Sequence, residues 1–301
     1  MFDWIAWFGS LPSAAAQGIV WGIMALGVYI TYRILDFADL TVDGSICTGG
    51  AVCAILVTNG VNIWIAMAAA LAAGLLAGLI TGILHTFMGI PGILSGILTQ
   101  LILWSVNLKI MGKANIALPI RKYDLILAQL NIVPSILALL GFIAVIIGVL
   151  YWFFGTEVGI SLRATGNNPN MSRAQGINTN FTKVLGLMLS NGIVALSGAL
   201  LAQYQGFADI SMGRGAIVIG LAAVIIGEAV ISRLPKSLAL KLFGVIIGGI
   251  IYFIVYQTVI FLGLDADLLK MLSAIVVAIF LALPHWKKTY FTKAKGSHSH
   301  A

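Results

Sequence analysis

The chain contains itself twice. Gly22-Ile23-Met24-Ala25-Leu26 recurs as Gly192-Ile193-Val194-Ala195-Leu196, and Phe37-Ala38-Asp39-Leu40-Thr41 recurs as Phe207-Ala208-Asp209-Ile210-Ser211. Gly74 and Gly78 recur as Gly244 and Gly248. All three pairings share an offset of 170 residues with no gap between them. Chance can supply one such match in an apolar chain, but hardly three in register. In a membrane protein, an internal repeat is the mark of a transporter built from two related halves around a central path.

The membrane assignment follows from composition. Hydrophobic residues make up 60% and charged residues 9%, against roughly 45–50% and about 25% in soluble domains. With spans of about 20 residues, the 301-residue chain has room for about eight to ten helices and no soluble catalytic domain. Met1 to Ser10 carries neither a basic n-region nor an A-x-A site, so no cleaved signal peptide is expected. Cys47 and Cys53 read as small buried hydrophobes. The net charge of +7 does not indicate nucleic acid, because the basic residues are spread between apolar runs and sort by membrane side.

The expected fold is all-α and polytopic. Nine apolar spans are predicted, at about 12–32, 45–59, 62–87, 92–108, 132–154, 182–204, 214–231, 239–262 and 266–284. They form one permease domain over 1–284, with one repeat at about 12–110 and the other at about 182–284, and a basic tail at 285–301. The second and seventh spans are short, and each directly follows a Phe-Ala-Asp segment. Short spans at matching places in two halves point to a binding path. Non-helical backbone at membrane depth survives only beside protein or water, so both segments are expected to fold back beside a cavity.

Basic residues set the orientation. With the 155–181 loop in the cytoplasm, eleven lie inside: Arg33, Arg163, Arg173, Lys183, Arg233, Lys236, Lys241, Lys287, Lys288, Lys293 and Lys295. Six lie outside: Lys109, Lys113, Arg121, Lys122, Arg214 and Lys270. That places the N-terminus outside and the C-terminus in the cytoplasm. Five spans separate the starts of the two repeats, and an odd number inverts the second copy.

The 159–178 loop encodes a short helix with both ends marked. Asn168 suits the N-cap, Pro169 the first helical position and Gly176 the left-handed residue past the end. About two turns cannot hold alone in water, so a partner surface is expected to hold this helix, with Met171 as an apolar contact and Arg163 and Arg173 available for carboxylates or carbonyls. Leu162-Arg163-Ala164-Thr165-Gly166-Asn167-Asn168-Pro169, followed by Ala174-Gln175-Gly176-Ile177-Asn178, resembles the coupling segment of ABC-importer permeases of the branched-chain amino-acid and ribose class. Ile34-Leu35-Asp36-Phe37-Ala38-Asp39-Leu40-Thr41-Val42-Asp43-Gly44-Ser45 is similar to a subgroup assigned to tryptophan or tyrosine uptake. The family's short Asn-Phe-Ala motif stands here as Asp36-Phe37-Ala38.

The resemblance implies that Arg163, Ala164, Thr165, Gly166, Asn168, Pro169, Met171, Arg173 and Gly176 couple to a separate cytoplasmic ATPase. It also implies a prokaryotic plasma-membrane location, an extracytoplasmic solute-binding protein and a second copy of the chain. The sequence itself has no G-x-x-x-x-G-K-[ST] phosphate loop, since Gly112-Lys113 is followed by Ala114 and lacks the first glycine. ATP hydrolysis is therefore expected in a partner. The chain is read as a transporter subunit and not an enzyme, with no cofactor and no metal; a terminal Ser-His-Ser-His is weak support for a metal site.

Candidate path residues are Asp39, Thr41, Asp43 and Ser45 in one half and Asp209, Ser211 and Arg214 in the other. The same groups are good helix caps, and the two roles can coexist. Gln100, Trp104 and Asn107 fall on one face of the fourth span, where polar groups normally face the bundle interior. Glu228 is expected either to bridge to Arg233 or to form an inner gate. The leading expectation is a translocation path for a small amino acid-like solute. A secondary transporter or channel with inverted repeats and no ATPase is the alternative, and it calls for buried ionisable groups at mid-membrane.

Overall fold

The computed structural model describes residues 4–119, 123, 125–231 and 237–261, with residues 271, 274, 275, 278, 279 and 282 beyond them. Helix α1 (Trp4–Tyr29) runs into a π-helical turn, Ile30–Ile34. α2 (Val42–Thr58), α3 (Ile63–Thr86) and α4 (Gly92–Met111) follow. A short strand, β1 (Asn115–Ala117), leads to α5 (Ile132–Gly155) and to two smaller helices, α6 (Glu157–Asn167) and α7 (Pro169–Ala174). Then come α8 (Thr179–Gln205), β2 (Phe207–Asp209), α9 (Ala216–Ile231) and α10 (Leu238–Phe261).

Among the described residues, six helices are long and apolar enough to cross a membrane: α1 with its π-helical turn, α3, α4, α5, α8 and α10. The two short apolar helices, α2 with 17 residues and α9 with 16, match the second and seventh predicted spans. Eight of the nine expected spans thus have a helix here. The ninth, 266–284, and the tail at 285–301 lie largely outside the described residues.

Local chemistry places the helix ends. The Asn62 side chain accepts from the Trp64 amide at the start of α3, and Asn178 accepts from Asn180 and Phe181 at the start of α8. Gly206, with φ at 77°, closes α8 in the left-handed conformation that glycine adopts without strain.

The most buried helices, α1 and α8, form the centre. Their packing is reciprocal: α1, which opens the first half, lies on α10, and α8, which opens the second, lies on α3. Small residues allow the approach. A Cβ on Gly18 would stand 2.7 Å from the Ile250 Cα, and one on Gly78 would stand 2.7 Å from the Met188 Cα. The repeated glycine pairs take different partners, however. Gly74 and Gly78 face α8, whereas Gly244 and Gly248 face α9. Side chains such as Ile102, Val106, Leu137, Val145 and Trp152 leave α4 and α5 with exposed apolar faces suited to hydrocarbon.

Candidate translocation cavity and coupling helices

The two Phe-Ala-Asp segments begin with the same local bond and end in different settings. Asp39 Oδ1 accepts from the Thr41 amide at 2.9 Å, and Asp209 Oδ1 accepts from the Ser211 amide at 2.7 Å. Each is an aspartate turn that reverses the chain into a short helix. In the first half the turn is sealed. Asp39 is 1% exposed, and its Oδ2 accepts from Asn191 Nδ2 at 2.7 Å. The Ser45 hydroxyl donates to Asn191 Oδ1 at 2.6 Å, and Thr41 meets Thr81 at 2.7 Å. Thr81 in turn donates to Thr99 at 2.9 Å. This network joins α2, α3, α4 and α8.

In the second half Phe207–Asp209 is a strand, paired antiparallel with Asn115–Ala117. Asp209 accepts from Ser211 Oγ and, at 3.4 Å, from Asn115 Nδ2. Partial burial opposes ionisation of Asp209, but the Ser211 and Asn115 bonds and the nearby Arg214 charge outweigh it and hold its carboxyl below the ordinary value. The ribbon was not foreseen, because three-residue strands carry no readable period.

Asp43 crosses between the halves. Its Oδ2 accepts from the Gly215 amide at 3.0 Å and its Oδ1 from the Ile217 amide at 2.9 Å. It therefore caps α9, where negative charge is favourable. Beside it lies a cavity of about 270 Å³, lined by Asp43, Gly44, Cys47, Gln100, Leu101, Trp104, Asn107, Ile210 and Arg214. The structure thus brings Asp43, Gln100, Trp104 and Asn107 to one cavity, while Asp39, Thr41 and Ser45 are closed into the polar network. Arg214 sits over the Trp104 ring, 5.1 Å from its centroid. Asn107 is 1% exposed, and neither atom of its amide has a hydrogen-bond partner.

At the other end, α7 has the ends its sequence marks. Asn168 Oδ1 accepts from the Asn170 and Met171 amides at 3.1 and 3.0 Å, Pro169 opens the helix, and Gly176 follows with φ at 84°. α6 before it was not expected; its start is capped by the Thr156 hydroxyl. The expected coupling residues divide into two sets. Arg163, Asn168, Met171, Arg173 and Gly176 are exposed, while Pro169 and Ala164 are half-buried. Thr165 is buried against Thr182, with their hydroxyls 2.9 Å apart. A Cβ on Gly166 would lie 2.8 Å from the Leu35 Cα, so α6 seats directly on the end of the π-helical turn. Arg163 donates to the Phe154 carbonyl at 2.7 Å and Arg173 to the Thr179 hydroxyl at 2.8 Å, so both guanidinium groups already brace the module.

Arg33, on the π-helical turn, bridges to Glu228 on α9 at 2.7 Å. Arg233, the expected partner of Glu228, lies outside the described residues. The bridge lines a second cavity, of about 600 Å³, together with Tyr29, Asp36, Arg163 and Lys241. Among the described residues, no group of three or more His, Cys, Asp or Glu side chains is placed to hold a metal ion.

The family described as "Branched-chain amino acid transport system / permease component" matches residues 10–282. The chain belongs to this permease family. It is 42% identical, over 90% of each chain, to a tyrosine transport system permease protein of Clostridioides difficile. It is 37% identical to an uncharacterized protein of Rickettsia prowazekii, over 90% of this chain and 96% of that one. A chain in the structure of PsaBC from Streptococcus pneumoniae in complex with Fab aligns with 95% of this chain and 94% of its own, at a TM-score of 0.49 and 16% identity.

The permease is a multi-pass membrane subunit of a transport system. One contact that its sequence hid is the Arg214–Trp104 pair, because 110 positions separate the partners. The only signal was the position of Arg214 at the head of a short span.

Proposed function

We propose that this permease is the membrane subunit of an ATP-binding-cassette importer, in a prokaryotic plasma membrane, for an amino acid-like solute. Tyrosine is the first solute to test, because the relative from Clostridioides difficile carries that name. The α6–α7 module carries the reading. Met171 on α7 is 58% exposed and Phe181, in the first turn of α8, 59% exposed, so the module offers apolar groups that the described residues leave uncovered. The inner end rests on the backbone of the π-helical turn. π-turns inside helices recur at functional sites. An ATPase gripping Met171 would push Gly166 against Leu35 and load the Arg33–Glu228 bridge. The N-terminus then lies outside and the C-terminus in the cytoplasm, and a solute-binding protein meets the outer face near β1 and β2.

The two repeats are read as inverted. The reciprocal packing of α1 on α10 and α8 on α3, the short α2 and α9, and the matching aspartate turns support that reading. A second copy of the chain completes the path. The residues that line it in this subunit are Asp43, Gln100, Trp104 and Asn107. Asp39, Thr41 and Ser45 hold it in shape, Asp209 and Ser211 shape its outer end, and Arg33 with Glu228 closes the inner one.

The test is a pull-down from native membranes with identification of the proteins recovered. Wild type should bring down a P-loop ATPase, and Met171→Glu should lose it while inserting normally. Equal recovery by both proteins would remove the coupling assignment. A transporting oligomer with no ATPase would favour a secondary transporter.

A further inference from the structure

We propose that the outer cavity recognises a carboxylate-bearing aromatic solute, with Arg214 binding the carboxylate and Trp104 stacking on the ring. The inference rests on the importer reading and assigns the chemistry of its site.

Arg214 is a cation whose charge acts on nearby Asp209 but whose guanidinium has no ion-pair partner among the described residues. The ion pair found among the described residues joins Arg33 to Glu228 and leaves Arg214 out. Asp43, which shares the cavity, has both oxygens occupied by the Gly215 and Ile217 amides. Asp209 is engaged by Ser211 and Asn115. A guanidinium offers a planar fork that matches a carboxylate through two parallel bonds. Its place over the Trp104 face holds that fork ready without satisfying its hydrogen bonds.

Asn107 supplies the second observation. A buried amide with no partner is unusual in a native protein and calls for an explanation. Here the amide lines the cavity, where a polar group of an incoming solute can meet it. Along α4 the order is Gln100, Trp104, Asn107. At 1.5 Å per residue the outer two stand about 10 Å apart along the helix, with the indole between them. The wall therefore runs amide, ring, amide, with the Arg214 charge over the ring and Leu101 and Ile210 as apolar flanks. That sequence suits a flat ring with polar groups at both ends. The volume, about 270 Å³, falls below the roughly 300–1,000 Å³ of drug-sized sites and fits one small solute.

The test uses the full chain in lipid nanodiscs and equilibrium binding of three probes: L-tyrosine, tyramine, which lacks the carboxylate, and L-leucine, which lacks the ring. Wild type should bind L-tyrosine at least about 10-fold more tightly than tyramine, as expected for a charge-assisted contact. Arg214→Gln should erase that preference, Arg214→Lys should restore part of it, and Trp104→Ala should weaken L-tyrosine more than L-leucine. Equal binding of L-tyrosine and tyramine, no binding of L-tyrosine, or an Arg214→Gln protein with unchanged preference would each overturn the proposal. ATPase recovery measured on the same variants separates the two readings. Normal recovery with unselective binding removes only this inference, and selective binding without an ATPase removes only the importer.

Discussion

Truncating Asn191 to alanine should strike the point where the two halves are tied. Its amide donates to Asp39 Oδ2 at 2.7 Å and to the Leu187 carbonyl at 3.0 Å, and it accepts from the Ser45 hydroxyl at 2.6 Å. Asp39 is 1% exposed and Ser45 is fully buried, so water cannot replace the lost partner without opening the packing. Asn191→Ala leaves one carboxyl oxygen and one hydroxyl orphaned. Each orphan costs about 1–3 kcal/mol, which gives a loss of about 2–6 kcal/mol. The unfolding free energy by steric trapping in bicelles reads this directly. In an Asp39→Ala background the same truncation should cost less, with a coupling of about 0.5–3 kcal/mol as expected for residues in one hydrogen-bond network. A loss below about 0.5 kcal/mol, the range of an ordinary surface change, would refute the reasoning. Asp39 would then return as a residue that meets solute.

Three further outcomes follow from the geometry. Gly78→Leu forces a side chain against the α8 backbone, where even a Cβ stands 2.7 Å from the Met188 Cα; overpacking of this kind costs about 1–3 kcal/mol, and an unchanged melting temperature in detergent would show that α3 and α8 do not touch there. Glu228→Gln breaks a bridge whose side chains are 54% and 26% exposed, worth at most about 1 kcal/mol, so stability should hold while uptake changes; unaltered uptake would deny the bridge a gating role. Asp209 has its carboxyl held low in the folded state, so its support for the β1–β2 ribbon is full above the ordinary aspartate value of about 3.9 and is lost as pH falls through the lowered folded value. The protection factors of the ribbon amides, with the intrinsic pH dependence of exchange divided out, should therefore fall in acid, and Asp209→Asn should flatten the profile.

The helices were legible because a membrane demands long apolar runs, and that demand is written in composition. The short second and seventh spans stood out for the same reason, and α7 could be read residue by residue from Asn168, Pro169 and Gly176. What stayed hidden was set by distance in the chain. Asp43 caps a helix 173 positions away, and nothing in its neighbours says so. The repeat predicted similar roles for Asp39 and Asp209; both make the same local turn, but in different settings. Asn191 closes one site, while a pairing with β1 occupies the other. The glycine pairs show the same limit. Gly244 and Gly248 copy the spacing of Gly74 and Gly78 but meet α9, because packing partners depend on the neighbouring helix and not on the motif. For Glu228 the sequence offered the nearby Arg233 or a gate, whereas its bridge to Arg33 depends on how α1 lies against α9.

The central claim is that the exposed face of α7 is held by an ATPase. A photo-crosslinking amino acid placed at Met171 tests it in native membranes of a cell that uses this transporter. The account predicts a single major adduct with a P-loop ATPase, absent when the crosslinker stands instead at lipid-facing Leu137. Adducts only with lipid or with a second copy of the chain, in cells that still take up solute, would contradict it.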